Sequence, residues 1–169
     1  MVNGLQRLTQ ICLLSSTIAG LPAAQATDVI AVKRMSLEMA NEIAMGAVKA
    51  CREPGYQVSA VVVDRSGNPQ SVMRDVHASR FTIQIAEEKA NAVILSGVGS
   101  AAFRANREDI RQEMNHVDGV LVLAGGLPIQ AGGALLGAVG VSGAPGGDKD
   151  EACARQALEA VQERLDFAE

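Results

Sequence analysis

The segment between residues 125 and 147 constrains the fold of this chain more than any other part of the sequence. Its glycines are interrupted by two short apolar runs, 127–130 and 134–141, where a flexible linker would carry polar residues. Glycines between such runs mark tight turns and close approaches between backbones. The pattern predicts two β-strands joined by a turn, and we expect the second to be central because it is almost entirely small and apolar.

Three more strands are predicted upstream of this segment. Residues 56–64 are rich in β-branched side chains, residues 66–69 spell a Ser-Gly-Asn-Pro turn, and residues 70–74 complete a hairpin. Residues 119–124 form an apolar run that predicts one further strand. Connections of hairpin length imply antiparallel pairing, so we expect a five-stranded antiparallel sheet.

Four segments carry apolar residues at helical spacing. They are residues 35–51, residues from about 78 to a break at Gly97, residues from 100 to about 114, and a final helix from Asp148 or Asp150 to about Leu165. Helices must cover the apolar faces of such a sheet. The sequence therefore predicts one α+β domain in the order α-β-β-α-α-β-β-β-α, with helices on both faces of the sheet.

The N-terminus has the three parts of a secretory signal. Arg7 is followed by an uncharged apolar stretch, 11–21, and then by the small-x-small sequence of residues 24–26. A buried N-terminal helix is the alternative, but it does not explain that cleavage-site pattern. The apolar stretch is also shorter than the roughly 20 residues that span a bilayer. We expect cleavage after Ala26, a periplasmic or secreted domain of residues 27–169, and no membrane insertion after processing.

The mature domain is acidic. The net charge of the whole chain is −4, and Arg7 is the one charged residue of the signal, so the mature domain carries −5. The chain contains no tryptophan, one tyrosine and three phenylalanines, which leaves few rings for base stacking. Without a cluster of lysine and arginine either, nucleic acid is not an expected partner.

Two glycine motifs resemble nucleotide sites but lack the required context. Residues 97–102 read G-x-G-x-x-A, yet the preceding run continues a helix, and Asp118 precedes a strand where the ribose-binding acid should end one. Residues 143–150 lack the G-K-[ST] ending of a phosphate loop. Both are interpreted as structural turns. No nucleophile or zinc-binding pattern occurs either, so no catalytic residue is predicted.

The two histidines are the candidate metal ligands. His77 lies in a loop before the second predicted helix, and His116 lies in a polar stretch after the third. Each is interpreted either as a solvent-exposed loop residue or as a ligand of bound iron, which imidazole coordinates well.

Three stretches resemble the GlcG/HbpS family, which is related to the C-terminal type of PduO domain. Residues 61–68 are similar to the first hairpin of that family, and residues 86–92 to its A-x-x-K-A helix, although residues 91–93 depart from the usual ending. The third stretch joins Gly-Gly-Leu-Pro-Ile at 125–129, Gly-Ala-Val-Gly-Val-Ser-Gly at 137–143 and Asp-Lys-Asp-Glu at 148–151. Together they cover about residues 36–165.

The resemblance implies an antiparallel sheet covered by helices, homo-oligomers, and binding of haem or a related tetrapyrrole. It also implies that the loop containing His77 faces the ligand, so His77 is the candidate iron ligand. Met73 and Met114 are sulfur alternatives. The candidate cofactor-binding residues are His77, His116, Asp75 and Arg80.

Cys51 and Cys153 remain after processing. In an oxidising compartment two cysteines either form one disulfide or stay as two small buried hydrophobic residues. The family fold implies that their helices pack antiparallel on one sheet face, which brings the two cysteines to the same end and favours a disulfide.

Three functions are compatible with the sequence. The first is an exported haem-binding protein that captures, buffers or senses haem. The second is a haem-degrading enzyme, and the third is a non-catalytic oligomeric scaffold or corrinoid-associated domain. Binding is preferred to catalysis because no acid–base pair or nucleophile is identified in the sequence.

Overall fold

The computed structural model describes residue 28 and residues 30–167, and the predicted signal of residues 1–26 lies outside them. In the described part, no helix is long and apolar enough to cross a membrane. The elements all lie in one compact unit that begins at Val32. In chain order they are α1 (Leu37–Arg52), β1 (Ser59–Asp64), β2 (Pro69–Arg74), α2 (Phe81–Ser96), α3 (Ser100–Asn106), α4 (Arg111–Met114), β3 (Gly126–Ala131), β4 (Ala134–Ser142), α5 (Gly147–Glu159) and α6 (Gln162–Asp166).

The strands form an antiparallel sheet in the order β2-β1-β4-β3. β4 pairs with β1, where Ala60 lies opposite Val141, and with β3, where Leu127 lies opposite Val139. The α+β class, the antiparallel pairing and the central position of β4 are therefore confirmed.

The predicted third strand, residues 119–124, is wrong, and the described residues form a four-stranded sheet instead of a five-stranded one. This segment packs along α2, where the backbone N–H of Leu121 donates to the carbonyl of Glu88 at 3.1 Å. The Val122 side chain is buried in a cluster with Ala92 of α2. A short apolar run can be buried either as a strand of a sheet or as an extended segment packed on a helix. Hydrophobicity alone therefore does not distinguish these two arrangements.

The sheet separates two hydrophobic clusters. Ala60 and Val62 of β1 belong to the cluster under α1 and α5, whereas Val61 and Val63 belong to the cluster under α2. Successive side chains of a strand point to opposite faces, so an uninterrupted apolar strand of this kind requires cover on both sides. Helices accordingly lie on both faces of the sheet.

The backbone of α2 lies directly against the sheet. Gly126 of β3 and Gly140 of β4 are register partners beneath this helix. A Cβ atom at Gly126 would lie 2.5 Å from the carbonyl oxygen of Lys89, and one at Gly140 would collide with the carbonyl of Ala86. The close approach that the glycine-rich segment predicts is therefore the contact between α2 and the sheet.

A disulfide joins α1 to α5. Cys51 and Cys153 are bonded, with their Cα atoms 5.3 Å apart and 102 residues apart in sequence. Both cysteines are buried in the cluster under these two helices. The disulfide prediction is therefore confirmed.

Candidate functional site

An apolar groove of about 480 Å³ lies between the C-terminal end of α2 and the segment containing α3 and α4. Leu95 and Val98 on its wall are 54% and 40% exposed, although both are apolar. Exposed apolar side chains grouped in a concavity mark a surface that binds a ligand or a partner. The side chains that define its character are Leu95, Val98, Phe103, Arg107, Ile110 and Met114.

The groove exists because the chain reverses at the end of α2. Gly97 adopts a left-handed conformation with φ 73°, which ends the helix. The buried hydroxyl of Ser100 then accepts a hydrogen bond from the backbone N–H of Gly126 at 2.8 Å, which fixes α3 against β3. Phe103 packs with Val122 beneath the groove. The base of the groove is therefore rigidly attached to the sheet, whereas its upper walls face solvent.

One cation stands at the rim of the groove. The guanidinium of Arg107 donates to both carboxylate oxygens of Asp109, at 3.0 and 3.2 Å. These hydrogen bonds lower the pKa of Asp109. An exposed pair of this kind adds little to stability, but it restricts the orientation of the guanidinium.

Met114 and His116 lie at the far end of the groove segment. Met114 ends α4 and lines the groove with its side chain. The next residue, Asn115, accepts a hydrogen bond from the backbone N–H of Val122 at 2.8 Å, which fixes the chain just beyond Met114. His116 follows and is exposed. Met114 is therefore a lining residue of the groove that also packs against the cluster of Ala92, Phe103 and Val122.

The loop that contains His77 lies at the opposite end of α2. Asp75 is buried and accepts two hydrogen bonds from the guanidinium of Arg52, at 2.6 and 2.9 Å, so both of its carboxylate oxygens are used. Arg74 donates to the carbonyl of Ala78 at 2.6 Å and closes the loop. Within this framework His77 itself is exposed.

Apolar residues and a cation flank His77. Val76 and Phe81 are 73% and 57% exposed, and the Arg80 guanidinium lies 4.1 Å from the centre of the Phe81 ring. The loop therefore presents an imidazole, two apolar side chains and a cation to solvent.

Comparisons with known proteins match this chain to one protein family. A protein family described as "Haem degrading protein HbpS-like" matches residues 35–159. The chain belongs to the HbpS-like family. The resemblance drawn from residues 61–68, 86–92 and 125–151 is thereby confirmed.

Solved structures show the same HbpS-like fold. A crystal structure of HbpS is 34% identical, covers 82% of this chain and 98% of that chain, and superposes with a TM-score of 0.75. A double mutant of HbpS from Streptomyces reticuli is 33% identical, with coverages of 85% and 97% and a TM-score of 0.75. A PduOC–haem complex is 20% identical, with coverages of 76% and 95% and a TM-score of 0.66, and supports the fold alone. A search of curated proteins found no match.

Two of the motifs that identify this HbpS-like chain meet in the core. Lys89 of α2 is 1% exposed, and its ammonium donates to Asp150 Oδ2 at 2.8 Å and to the carbonyl of Val141 at 2.9 Å. Asp150 also accepts a hydrogen bond from the backbone N–H of Ala144 at 2.9 Å. Burial raises the pKa of Asp150, although the charge and the hydrogen bond of Lys89 act to lower it. Because both groups are sealed from solvent, we assign them to the architecture and not to ligand binding.

The structure does not bring the sequence-predicted ligands together. α2 has 16 residues and separates the His77 loop from the groove. At 1.5 Å per residue, a helix of that length spans about 24 Å. One haem held by a single chain therefore uses either His77 or the groove with Met114 and His116. In addition, no group of three or more potential metal-ligating His, Cys, Asp or Glu residues occurs in the described part.

Sequence reasoning missed the groove. The stretch 100–114 was expected to be one helix, but it is divided into α3 and α4 by a break at residues 107–110. The signal in the sequence is that Leu95, Val98 and Ile110 are apolar, although they lie near the glycines at 97 and 99 or between charged residues. Only the fold shows that they converge on one concavity.

Proposed function

We propose that this chain is an exported haem-binding protein that holds haem in the groove between α2 and the α3–α4 segment. The observation that carries the proposal is the combination, in one concavity, of apolar walls, the thioether of Met114 and the guanidinium of Arg107. Membership of a haem-related family supports the ligand class.

The residues of the groove suit the chemistry of haem. Haem has a large apolar macrocycle with two carboxylates at one edge, and cofactor pockets typically measure about 300–1,000 Å³, which includes the 480 Å³ of this groove. A methionine sulfur is a known axial haem ligand. The guanidinium of Arg107 uses two of its five N–H donors on Asp109, and the other three are directed away from that carboxylate and can donate to another. Met114 would therefore hold the iron, and Arg107 would hold a propionate.

Bound haem supplies an iron centre that exchanges electrons and axial ligands. The contribution of the protein is to bind it, to exclude water and to set the axial ligand. Phe103 and Val122 at the base of the groove exclude water from one side, and His116 is the nearest imidazole in sequence to Met114.

The His77 loop is the alternative haem site, because it groups an imidazole with Val76, Phe81 and Arg80. In that case Asp75 has a positioning role, since its pairing with Arg52 fixes the loop. The groove is preferred because haem needs apolar contact on its faces, and the loop surface is open within one chain.

Titration of the mature protein with haem, followed by its Soret absorption, tests the function. We expect a saturable shift that changes in Met114→Leu, which preserves the volume of the side chain, and persists in His77→Ala and His116→Ala. A spectrum that changes only in His77→Ala would assign the haem to the loop. No saturable shift would refute haem binding, and time-dependent loss of the Soret band with a reductant would indicate degradation instead.

Arg107 provides a second test of the groove. We expect Arg107→Gln to weaken haem binding about tenfold, which corresponds to the loss of one charge-assisted hydrogen bond. Haem dimethyl ester, which lacks the carboxylates, should bind equally to both proteins. Arg104→Gln is the matched control, because Arg104 is exposed on α3, three residues before Arg107, but does not line the groove.

Export and self-association are part of the proposal. The signal-like residues 1–26 and the disulfide between Cys51 and Cys153 support a periplasmic or secreted location, since disulfides are typical of oxidising compartments. Homo-oligomer formation stays a prediction from the family resemblance, and analytical ultracentrifugation of the mature protein tests it.

A further inference from the structure

A second concavity, remote in sequence from the groove between α2 and the α3–α4 segment, combines cations with an apolar floor. It measures about 250 Å³ and lies where the segment before α1 crosses the turn between β1 and β2. The Gln70 side chain donates to the carbonyl of Met35 at 2.9 Å and holds that segment against β2. Its lining consists of Arg34, Met35, Asp64, Arg65, Gln70 and Leu136.

Two arginines from separate parts of the chain line this cavity. Arg34 precedes α1, and Arg65 belongs to the turn after β1. Within the described residues, neither guanidinium makes a hydrogen bond or a salt bridge. Both are exposed, so their donors are available to a ligand.

The one carboxylate of the cavity is already engaged. Asp64 Oδ1 accepts hydrogen bonds from the backbone N–H groups of Ser66 and Asn68, at 2.8 and 3.0 Å, and the Asn68 side chain contacts both oxygens at 3.3 Å. Partial burial acts to raise the pKa of Asp64. The hydrogen bonds and the charge of Arg34 outweigh this effect and keep that pKa below its ordinary value. Two guanidinium groups and one carboxylate leave one positive charge, which suits a monoanion.

The floor of the cavity selects among monoanions. Met35 and Leu136 are 7% and 6% exposed and provide an apolar surface beneath the charged rim. A volume of 250 Å³ lies below the usual range of about 300–1,000 Å³ for cofactor and drug-sized ligands, so a small ligand is required. Arginine pairs with carboxylates through its planar fork of donors. We propose that this cavity binds a short-chain monocarboxylate, with its carboxylate between Arg34 and Arg65 and its alkyl part on Met35 and Leu136.

Isothermal titration calorimetry on the mature protein tests the site, with sodium butyrate, acetate and inorganic phosphate at matched ionic strength. We expect butyrate to bind more tightly than acetate, because its longer chain reaches the apolar floor, and both to bind more tightly than phosphate. Arg34→Gln and Arg65→Gln should each weaken butyrate binding about tenfold. Arg155→Gln, an exposed arginine on α5, is the control and should leave the affinity unchanged.

The location of binding has an independent readout. In amide NMR spectra, butyrate should shift the resonances of Arg65 and Gln70 and leave those of the groove between α2 and the α3–α4 segment unchanged. Unaltered butyrate affinity in both arginine variants, or the absence of saturable binding of any of the three anions, would refute the site. Phosphate binding at these arginines without butyrate binding would refute the carboxylate assignment. None of these results depends on whether the protein binds haem.

Discussion

Lys89 and Asp150 form an ion pair that joins the two helical layers of this protein. The ammonium and the carboxylate lie 2.8 Å apart, and each side chain is at most 4% exposed. The lysine belongs to α2, whereas the aspartate belongs to α5 on the other face of the sheet. The lysine passes Gly125, where a Cβ atom would lie 2.8 Å from the ammonium nitrogen. The glycine pair at 125–126 therefore makes room both for this side chain and for the backbone of α2.

Loss of one partner of this pair should destabilise the fold strongly. We expect Lys89→Met to lower the free energy of unfolding by about 3–5 kcal/mol, because the Asp150 carboxylate then remains buried without its cation. The double variant Lys89→Met/Asp150→Leu should recover a large part of that loss, because it removes both desolvated charges. Urea denaturation of the wild type, Lys89→Met, Asp150→Leu and the double variant completes a double-mutant cycle and measures the coupling. Additive effects would show that the two side chains do not act as a pair.

The disulfide between Cys51 and Cys153 should contribute substantially to stability. It closes a loop of about 100 residues, for which the chain-entropy model gives about 4–5 kcal/mol as an upper value. We expect the mature Cys51→Ala/Cys153→Ala variant to unfold at a lower denaturant concentration than the oxidised wild type. A reductant should destabilise the wild type and leave the double variant unchanged. Two free thiols in the unfolded, unreduced wild type would contradict the disulfide.

Acid should remove the contribution of Asp75. The hydrogen bonds from Arg52 lower the pKa of this carboxylate in the folded state. A carboxylate with a lowered native pKa stabilises the fold above its unfolded pKa of about 3.9, and this stabilisation is lost as the pH falls through the native value. Asp75→Asn should therefore melt several degrees below the wild type at pH 7, with a difference that disappears in acid. Burial raises the pKa of Asp150, so protonation of that carboxylate favours the folded state as the pH falls. Asp150 is present in both proteins, so its effect on the melting temperature cancels in the comparison. A pH-independent difference in melting temperature would contradict the assignment.

Export should remove the first 26 residues. Intact-mass analysis of protein from the periplasm or the medium should show Thr27 as the new N-terminus, because Ala24 and Ala26 form the small-x-small site that the processing enzyme recognises. Ala24→Phe should slow processing, whereas Gln25→Ser, at the intervening position, should not. An unprocessed chain that begins at Met1 would contradict both the signal and the compartment.

The candidate site was predictable only in its parts. The sequence identified His77, His116 and Met114 as candidate ligands and predicted a helix between the first and the other two, but it could not show whether the chain folds back to bring them together. It also suggested Asp75 as a cofactor residue, whereas the structure occupies both of its carboxylate oxygens with Arg52. Ligand types can be recognised one residue at a time, but a site is a set of distances between residues far apart in the chain.

The sequence by itself determined the elements whose signals are local. The Ser36 cap of α1, the turn at Gly67 and the small apolar pattern of β4 depend on neighbouring residues, so they are visible in the sequence. Tertiary structure alone decided whether residues 119–124 pair with a strand or pack on α2, and it alone brought Lys89 to Asp150 and Leu95 to Met114. The reason is physical: an apolar run buries equally well against a sheet or a helix, and a buried charge needs a partner that lies beside it in the fold, however distant in sequence.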